Sequence, residues 1–182
     1  MPFVKDKISG KKPDLQIVNV EPEACPTVTK RPYAWGFGDV AGSMAPICLM
    51  NTLGHTFVPP PVHAGGLRYH GMAPIICHLV KLGLVEARAV NQLPTFEAAI
   101  QFARAEGIVP APEPAHAIKV VIDEALKCKE SGQKKTILLA LSGHGHFDLG
   151  SYEKYLAGEL VDYEYPREMV ERALKDLPQV PA

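Results

Sequence analysis

The 182-residue sequence has few cysteines, no excess of positive charge and no long apolar run. Its four cysteines lie far apart without a C-x-x-C pair, which excludes a zinc knuckle or a disulfide framework and predicts reduced, mostly buried thiols. A formal net charge of -1 offers no basic field to nucleic acid or to an anionic membrane. No stretch approaches the roughly 18 apolar residues of a membrane span, and the first residues are too polar for a secretory signal. We therefore expect a cytoplasmic protein.

Two halves of different character make up the chain. Residues 21–71 are rich in proline and glycine and show no sustained period of 3.6 or 2, which predicts a long, irregular and functional segment. From residue 72 onward the pattern is regular. We predict helices over 73–83, 94–107, 114–132 and 166–177, and strands over 15–22, 84–93 and 135–143.

Two of these helices carry an apolar face, and glycine follows each of them. The predicted inner residues are Phe96, Ala99, Ile100 and Ala103 on the first, and Ile118, Val121, Ala125 and Cys128 on the second. Helices that alternate with apolar strands predict an α/β domain with a largely buried sheet. Ligands of such domains bind outside the carboxyl ends of the strands, and the turn that follows Leu141 lies at one such end.

That turn, Ser-Gly-His-Gly-His-Phe-Asp, has three interpretations on its own residues. His144 and His146 are two residues apart and on a strand would share a face, so with His63, His70 or Asp148 they could bind a metal ion, although nothing in the sequence brings them together. We therefore predict no metal site there.

The second interpretation is a phosphate-binding loop, for which Gly143 and Gly145 begin a G-x-G-x-x-G pattern that Asp148 interrupts. The third is a tight turn that needs a positive φ at both glycines.

Three segments in order carry a resemblance to a known family. They are "VHAGGLRYHGMAP" (62–74), "EGIVPAPEPAHAI" (106–118) and "LSGHGHFDL" (141–149). They resemble the C-terminal portion of the tryptophan synthase β chain, in particular its divergent second group. The resemblance extends over nearly the whole of residues 1–182, which we interpret as one C-terminal segment of such an enzyme.

The resemblance implies a fold type II, pyridoxal 5'-phosphate-dependent lyase that makes L-tryptophan from L-serine and indole. Ser142 matches the serine that partners the pyridine nitrogen of the cofactor, with Gly143 and His144 beside it as cofactor-binding residues. Glu113 matches the glutamate next to the cofactor ring, which assists loss of the serine hydroxyl and replacement by indole. His116 is interpreted as a buried supporting residue.

Gly65, Gly66, Leu67, Arg68 and Tyr69 match the loop that lines the substrate region. In the family this region also contributes backbone carbonyls to a monovalent-cation site, here expected at Tyr69 and Gly71. Arg68 stands where the better-known group of the family has an aspartate that closes over the substrate.

Two parts of the family's machinery have no counterpart in this sequence. No histidine is followed by lysine, as at the Schiff-base lysine, and no G-G-G-S-N phosphate loop is present. We therefore expect the chain to be inactive without a missing N-terminal half. Completed chains are expected to form a homodimer and to have an α subunit as a possible partner. The alternative is a non-catalytic binding or regulatory module that docks on an intact β chain.

Overall fold

The computed structural model describes residues 2–180, which form six α-helices, four β-strands and three short 3₁₀ turns. The helices are α1 Pro2–Ile8, α2 Pro74–Lys81, α3 Gln92–Glu106, α4 Pro112–Ser131, α5 Leu149–Leu156 and α6 Arg167–Ala173. The strands are β1 Val18–Pro22, β2 Tyr33–Phe37, β3 Ile47–Asn51 and β4 Glu86–Val90, and the 3₁₀ turns are Gly65–Leu67, Gly145–Phe147 and Leu174–Asp176.

Strands β1 and β4 form a parallel pair in which Val18 lies opposite Glu86 and Pro22 opposite Val90. They confirm the strands predicted over 15–22 and 84–93, with shorter bounds. Parallel pairing agrees with the expected α/β arrangement, because the connection between the two strands passes through α2. The described sheets are two separate pairs rather than one broad sheet.

The prediction of irregular chain over residues 21–71 was wrong in part. β2 and β3 pair as an antiparallel hairpin inside it, with Tyr33 opposite Asn51 and Phe37 opposite Ile47. Glycine at position 36 interrupts the apolar alternation of "YAWGF", which hides the strand from a pattern search.

The strand predicted over 135–143 was also wrong for the described structure. These residues belong to no helix or strand, and Leu138 is 74% exposed. A β-strand forms only when a neighbouring strand accepts and donates its backbone hydrogen bonds. Among the described residues, this segment has only a contact at its last residue, where the Gly143 carbonyl accepts from the Ala111 N–H at 3.5 Å. The apolar sequence "TILLAL" therefore lies on the surface as unpaired chain.

The predicted helices are confirmed as α2, α3, α4 and α6, with α3 beginning two residues before its predicted start. Gly107 and Gly132 end α3 and α4 in the left-handed region, with φ of 70° and 68°. Phe96, Ala99 and Ile118 lie in the core as expected. Ala125 is exposed, because the second half of α4 extends beyond the elements that cover its first half.

Four small cores hold the chain together. The one nearest the candidate site joins α3, α4 and α5 through Phe96, Ala99, Ala115, Tyr152 and Leu160. The ring of Tyr152 meets that of Phe96 edge-on at a centroid distance of 5.2 Å. The free energy gained by burying a phenylalanine such as Phe96 is about 1.5 to 3 kcal/mol. This core fixes α5 against the start of α4.

A fully buried carboxylate fixes the chain that leaves β1. Glu21 accepts hydrogen bonds from the hydroxyl of Thr27 at 3.0 Å and the backbone N–H of Val28 at 2.9 Å. It also accepts from the N–H and the hydroxyl of Thr29, at 2.8 and 2.6 Å. Four donors replace the water that burial removes, so the charge is tolerated in the core.

The four cysteines are free, and two of them, Cys25 and Cys77, are buried, as expected. Burial raises the pKa of the Cys25 thiol to about 11. Within residues 2–180, no helix is both long enough and apolar enough to cross a membrane.

Candidate active site

The glycine-rich turn is fastened to the chain that leads into α4. His144 forms an isolated antiparallel bridge with Pro110, and the N–H of Gly145 donates to the carbonyl of Val109 at 2.8 Å. The Tyr152 hydroxyl donates to the Pro110 carbonyl at 2.5 Å from the other side. The second and third sequence motifs therefore meet through backbone contacts.

The two glycines of the turn serve different purposes. Gly143 has a φ of 96°, which a residue with a side chain rarely adopts. Gly145 does not have a positive φ, but a Cβ there would lie 2.9 Å from Val109 Cγ1 and would collide with the Pro110 carbonyl. The tight-turn interpretation, which needs a positive φ at both glycines, therefore holds for Gly143 and not for Gly145, where close approach of two backbones is the reason for glycine.

Glu113 joins the first motif to the second. It lies in the first turn of α4, where the helix dipole stabilises a negative charge by about 0.3 to 1 kcal/mol. Its Oε1 accepts the backbone N–H of Gly66 at 2.8 Å, across 47 residues of sequence. A Cβ at Gly66 would lie 3.2 Å from that oxygen, so glycine lets the loop approach closely.

Ser142 and His144 lie on the exposed side of the turn. Among the described residues, the Ser142 hydroxyl forms no side-chain hydrogen bond, which leaves it free to contact a bound molecule. His144 Nδ1 accepts the N–H of His146 at 3.3 Å, so this nitrogen carries no proton in that contact. The ring centroids of His144 and His146 are 4.6 Å apart, although the two residues lie at a 3₁₀ turn and not on a strand.

Asp148 links the turn electrostatically to both other motifs. Burial raises the pKa of the Asp148 carboxyl, and the nearby Glu113 carboxylate raises it further. The imidazoles of His144 and His63 oppose that rise. Glu113, His144 and His63 therefore lie close enough to Asp148 to influence the pKa of its carboxyl.

His116 is buried, as expected for a supporting residue, and its Nδ1 donates to the Pro112 carbonyl at 2.7 Å. Burial lowers the pKa of its imidazole, so the ring is neutral near pH 7.

The remainder of the substrate loop follows the short turn Gly65–Leu67. The Arg68 guanidinium donates to the Pro59 carbonyl at 3.0 Å, and the Tyr69 ring packs into a core with Met50 and Cys77. Burial raises the pKa of Tyr69 to about 12.

The loop ends at an isolated bridge between Gly71 and Thr52. The His70 carbonyl accepts from the N–H of Leu53 at 2.6 Å and from the Thr52 hydroxyl at 3.1 Å. Tyr69 and Gly71, the residues expected at a cation site, flank this occupied carbonyl. In residues 2–180, no three His, Cys, Asp or Glu side chains cluster closely enough to hold a metal ion.

Sequence reasoning missed two features of this region. The helix α5 was not predicted, and with it the contact between Ser151 on α5 and His63, whose Oγ and Nδ1 are 2.9 Å apart. The buried Glu21 was missed as well, although threonines six and eight residues later were a usable signal.

Comparison with known proteins identifies the family. The tryptophan synthase beta chain 2 of Aquifex aeolicus is 61% identical over 163 residues, which is 88% of this chain and 37% of that protein. The tryptophan synthase beta chain 2 of Methanosarcina acetivorans is 57% identical over 159 residues, or 87% of this chain and 36% of that protein. The corresponding protein of Pyrococcus abyssi is 52% identical over 168 residues, or 92% and 38%.

The chain is a homologue of the C-terminal portion of the tryptophan synthase beta chains. It spans a little more than a third of the length of these relatives. No family model matches it. The resemblance drawn from the three motifs is confirmed.

Proposed function

We propose that this chain forms one wall of the active site of a pyridoxal 5'-phosphate-dependent enzyme of the tryptophan synthase β type. The reaction joins L-serine to indole, forming L-tryptophan and releasing water. The observation that supports this best is the hydrogen bond from the Gly66 N–H to Glu113 Oε1 at 2.8 Å. This hydrogen bond joins the substrate loop, at Gly66, to Glu113, the acidic residue to which we assign a role in the reaction.

Residues of the glycine-rich turn fit the ring of the cofactor. The Ser142 hydroxyl is exposed, and the turn beneath it is fixed by the contacts of Gly145 with Val109. Gly143 leaves no side chain beside the hydroxyl. The cofactor, when bound, supplies an electron sink that allows the Cα–H bond of the amino acid to break. Ser142 would face the pyridine nitrogen with a hydroxyl rather than a carboxylate, which would leave that nitrogen unprotonated and favour β-replacement.

Glu113 is the proposed acid–base group. Its Oε1 is held by Gly66, and Oε2 forms no hydrogen bond with any described residue, so one oxygen orients the carboxylate while the other serves the substrate. A proton on Oε2 assists departure of the serine hydroxyl as water. The resulting carboxylate then faces indole as it adds to the same carbon.

The unpaired apolar residues after α4 indicate where the remainder of the enzyme docks. Leu138 is 74% and Phe147 93% exposed, on the segment that leads into and out of the turn. A strand from the complementary part of the polypeptide would supply the missing backbone partners there. That part would also carry the lysine and the phosphate loop. By the same analogy, we expect a homodimer of completed chains and an α subunit as a partner.

A chimera tests this function. The C-terminal portion of the Aquifex aeolicus relative is replaced by this chain, and tryptophan formation from serine and indole is measured. We expect turnover, and Glu113→Gln should lower kcat by at least about 100-fold, the usual range for loss of a general acid. Glu130→Gln, which changes an exposed glutamate of the same helix, should stay within about twofold.

A folded chimera that binds the cofactor and makes no tryptophan would overturn the proposal. Equal activity of the Glu113→Gln and Glu130→Gln chimeras would remove Glu113 from the reaction. If the isolated chain instead binds an intact β chain and changes no turnover, the regulatory module becomes the better interpretation.

A further inference from the structure

His63 opens the substrate loop and is bound at two points. Its ring Nδ1 lies 2.9 Å from the Ser151 hydroxyl on α5. Its backbone N–H donates to Gln92 Oε1 at 2.9 Å, at the first residue of α3. Gln92 is buried, and its side-chain N–H₂ donates to the Val161 carbonyl at 2.8 Å. The start of the loop is therefore joined to two helices.

Only two residues, Ala64 and Gly65, separate His63 from Gly66, whose N–H contacts Glu113. The chain between them is closed by short backbone hydrogen bonds, from Ala64 to Val62 at 2.9 Å and from Leu67 to Ala64 at 2.9 Å. Because the segment is short and its backbone is hydrogen-bonded, the position of its first residue fixes the position of its last. The position of His63 therefore determines where the Gly66 N–H lies when it donates to Glu113 Oε1.

The surroundings of His63 favour its neutral form. Burial lowers the pKa of the imidazole, and the positive charges of Lys154 on α5 and Arg68 on the loop lower it further. Asp148, at the start of α5, opposes them. The hydroxyl of Ser151 can donate to or accept from Nδ1, so the link forms with either tautomer of the neutral ring.

We propose that His63 is a positioning residue for Glu113: bonded to Ser151 and Gln92, it fixes the substrate loop so that the Gly66 N–H holds one oxygen of the carboxylate. This inference rests on the proposed function of Glu113. His63 touches neither substrate nor cofactor in this role. Its loss should slow the chemical step and leave substrate binding largely intact.

The test compares five variants in the chimera. His63→Ala and Ser151→Ala each remove the link, and each should lower kcat by about tenfold with KM for serine within twofold. His63→Asn places an amide where Nδ1 was and should restore most of kcat. The double variant should be no slower than either single variant, because both remove the same interaction. His78→Ala, which changes an exposed histidine on α2, should leave both constants unchanged.

A second readout on this chain alone does not depend on turnover. In a ¹⁵N-labelled sample, the Gly66 amide resonance should move in His63→Ala and in Ser151→Ala, and should stay near its original position in His63→Asn. Failure of the unsubstituted chimera to make tryptophan would count against the proposed function, while the resonance still reports on the link. An unmoved Gly66 resonance in both alanine variants, or equal kcat for His63→Ala and His63→Asn, would overturn the inference.

Discussion

At the scale of single residues, the glycines of the turn show how much a missing Cβ matters. Gly143 is required by its backbone conformation and Gly145 by its close contact with residues 109 and 110. The sequence pattern does not distinguish the two glycines. It indicates which residue types favour a positive φ, but it does not show which residues will pack next to each glycine. The contact of Gly145 is what places Ser142 and His144 next to the start of α4.

We therefore expect Gly145→Ala to destabilise the chain by about 1 to 3 kcal/mol, since the Pro110 carbonyl and Val109 must shift to admit a methyl group. The measurement is urea unfolding followed by circular dichroism. Gly150→Ala is the matched control, because a Cβ at this helical glycine meets nothing within 4 Å. It should be neutral or stabilising by up to about 1 kcal/mol. Equal stability of the two variants would show that the turn does not contact residues 109 and 110.

At the scale of elements, α4 brings its N-terminal turn and its buried first half to the site. Pro112 and Glu113 begin the helix, and His116, one turn later, is buried. The exposed second half of the helix adds length without adding contacts to the site. The end of α4 that carries Glu113 is thus also its best-packed end.

The buried His116 should make the stability of this region depend on pH. Its pKa in the folded chain is lowered by burial, so the unfolded chain takes up a proton first as pH falls through about 6.5. The free energy of unfolding is therefore highest above that pH. Below it, this single group lowers the free energy of unfolding by at most about 1.4 kcal/mol per pH unit.

Unfolding free energies of the unsubstituted chain and of His116→Asn, measured between pH 7.5 and about pH 5, test this. Asparagine keeps an N–H near the Pro112 carbonyl and does not titrate. The His116→Asn variant should therefore lose less unfolding free energy between pH 7.5 and about pH 5 than the unsubstituted chain. Parallel pH profiles for the two proteins would show that His116 does not contribute.

At the scale of the whole molecule, the chain exposes an apolar segment, which the proposed function assigns to contact with the remainder of the enzyme. The segment 136–142 has the composition of a buried strand and lies on the surface without a strand partner among the described residues. Exposed apolar strands of this kind pair with other chains. The same property that would dock the remainder of the enzyme should make the isolated chain associate with itself.

We expect concentration-dependent association of the isolated chain in analytical ultracentrifugation, and Leu138→Lys should weaken it by at least about tenfold. Leu138 is 74% exposed, so the substitution costs little stability in the monomer. Leu82→Lys, at an exposed leucine that follows α2, should leave association unchanged. A chain that stays monomeric at every concentration would contradict this prediction.

The sequence alone determined α2, α3, α4 and α6, the glycine caps of α3 and α4, and the resemblance to the family. Helices close their hydrogen bonds within their own segment, so periodicity and a terminal glycine such as Gly107 are enough to place them. The family followed from three ordered motifs, which 61% identity to a tryptophan synthase beta chain confirms.

Only the tertiary structure decided what depends on distant partners. It left residues 135–142 without a strand partner among the described residues, because strands take their hydrogen bonds from other segments. It also brought Gly66 to Glu113 and His63 to Ser151, across 47 and 88 residues. Such contacts have no local signature, since they arise from the packing of α3, α4 and α5 around a common core.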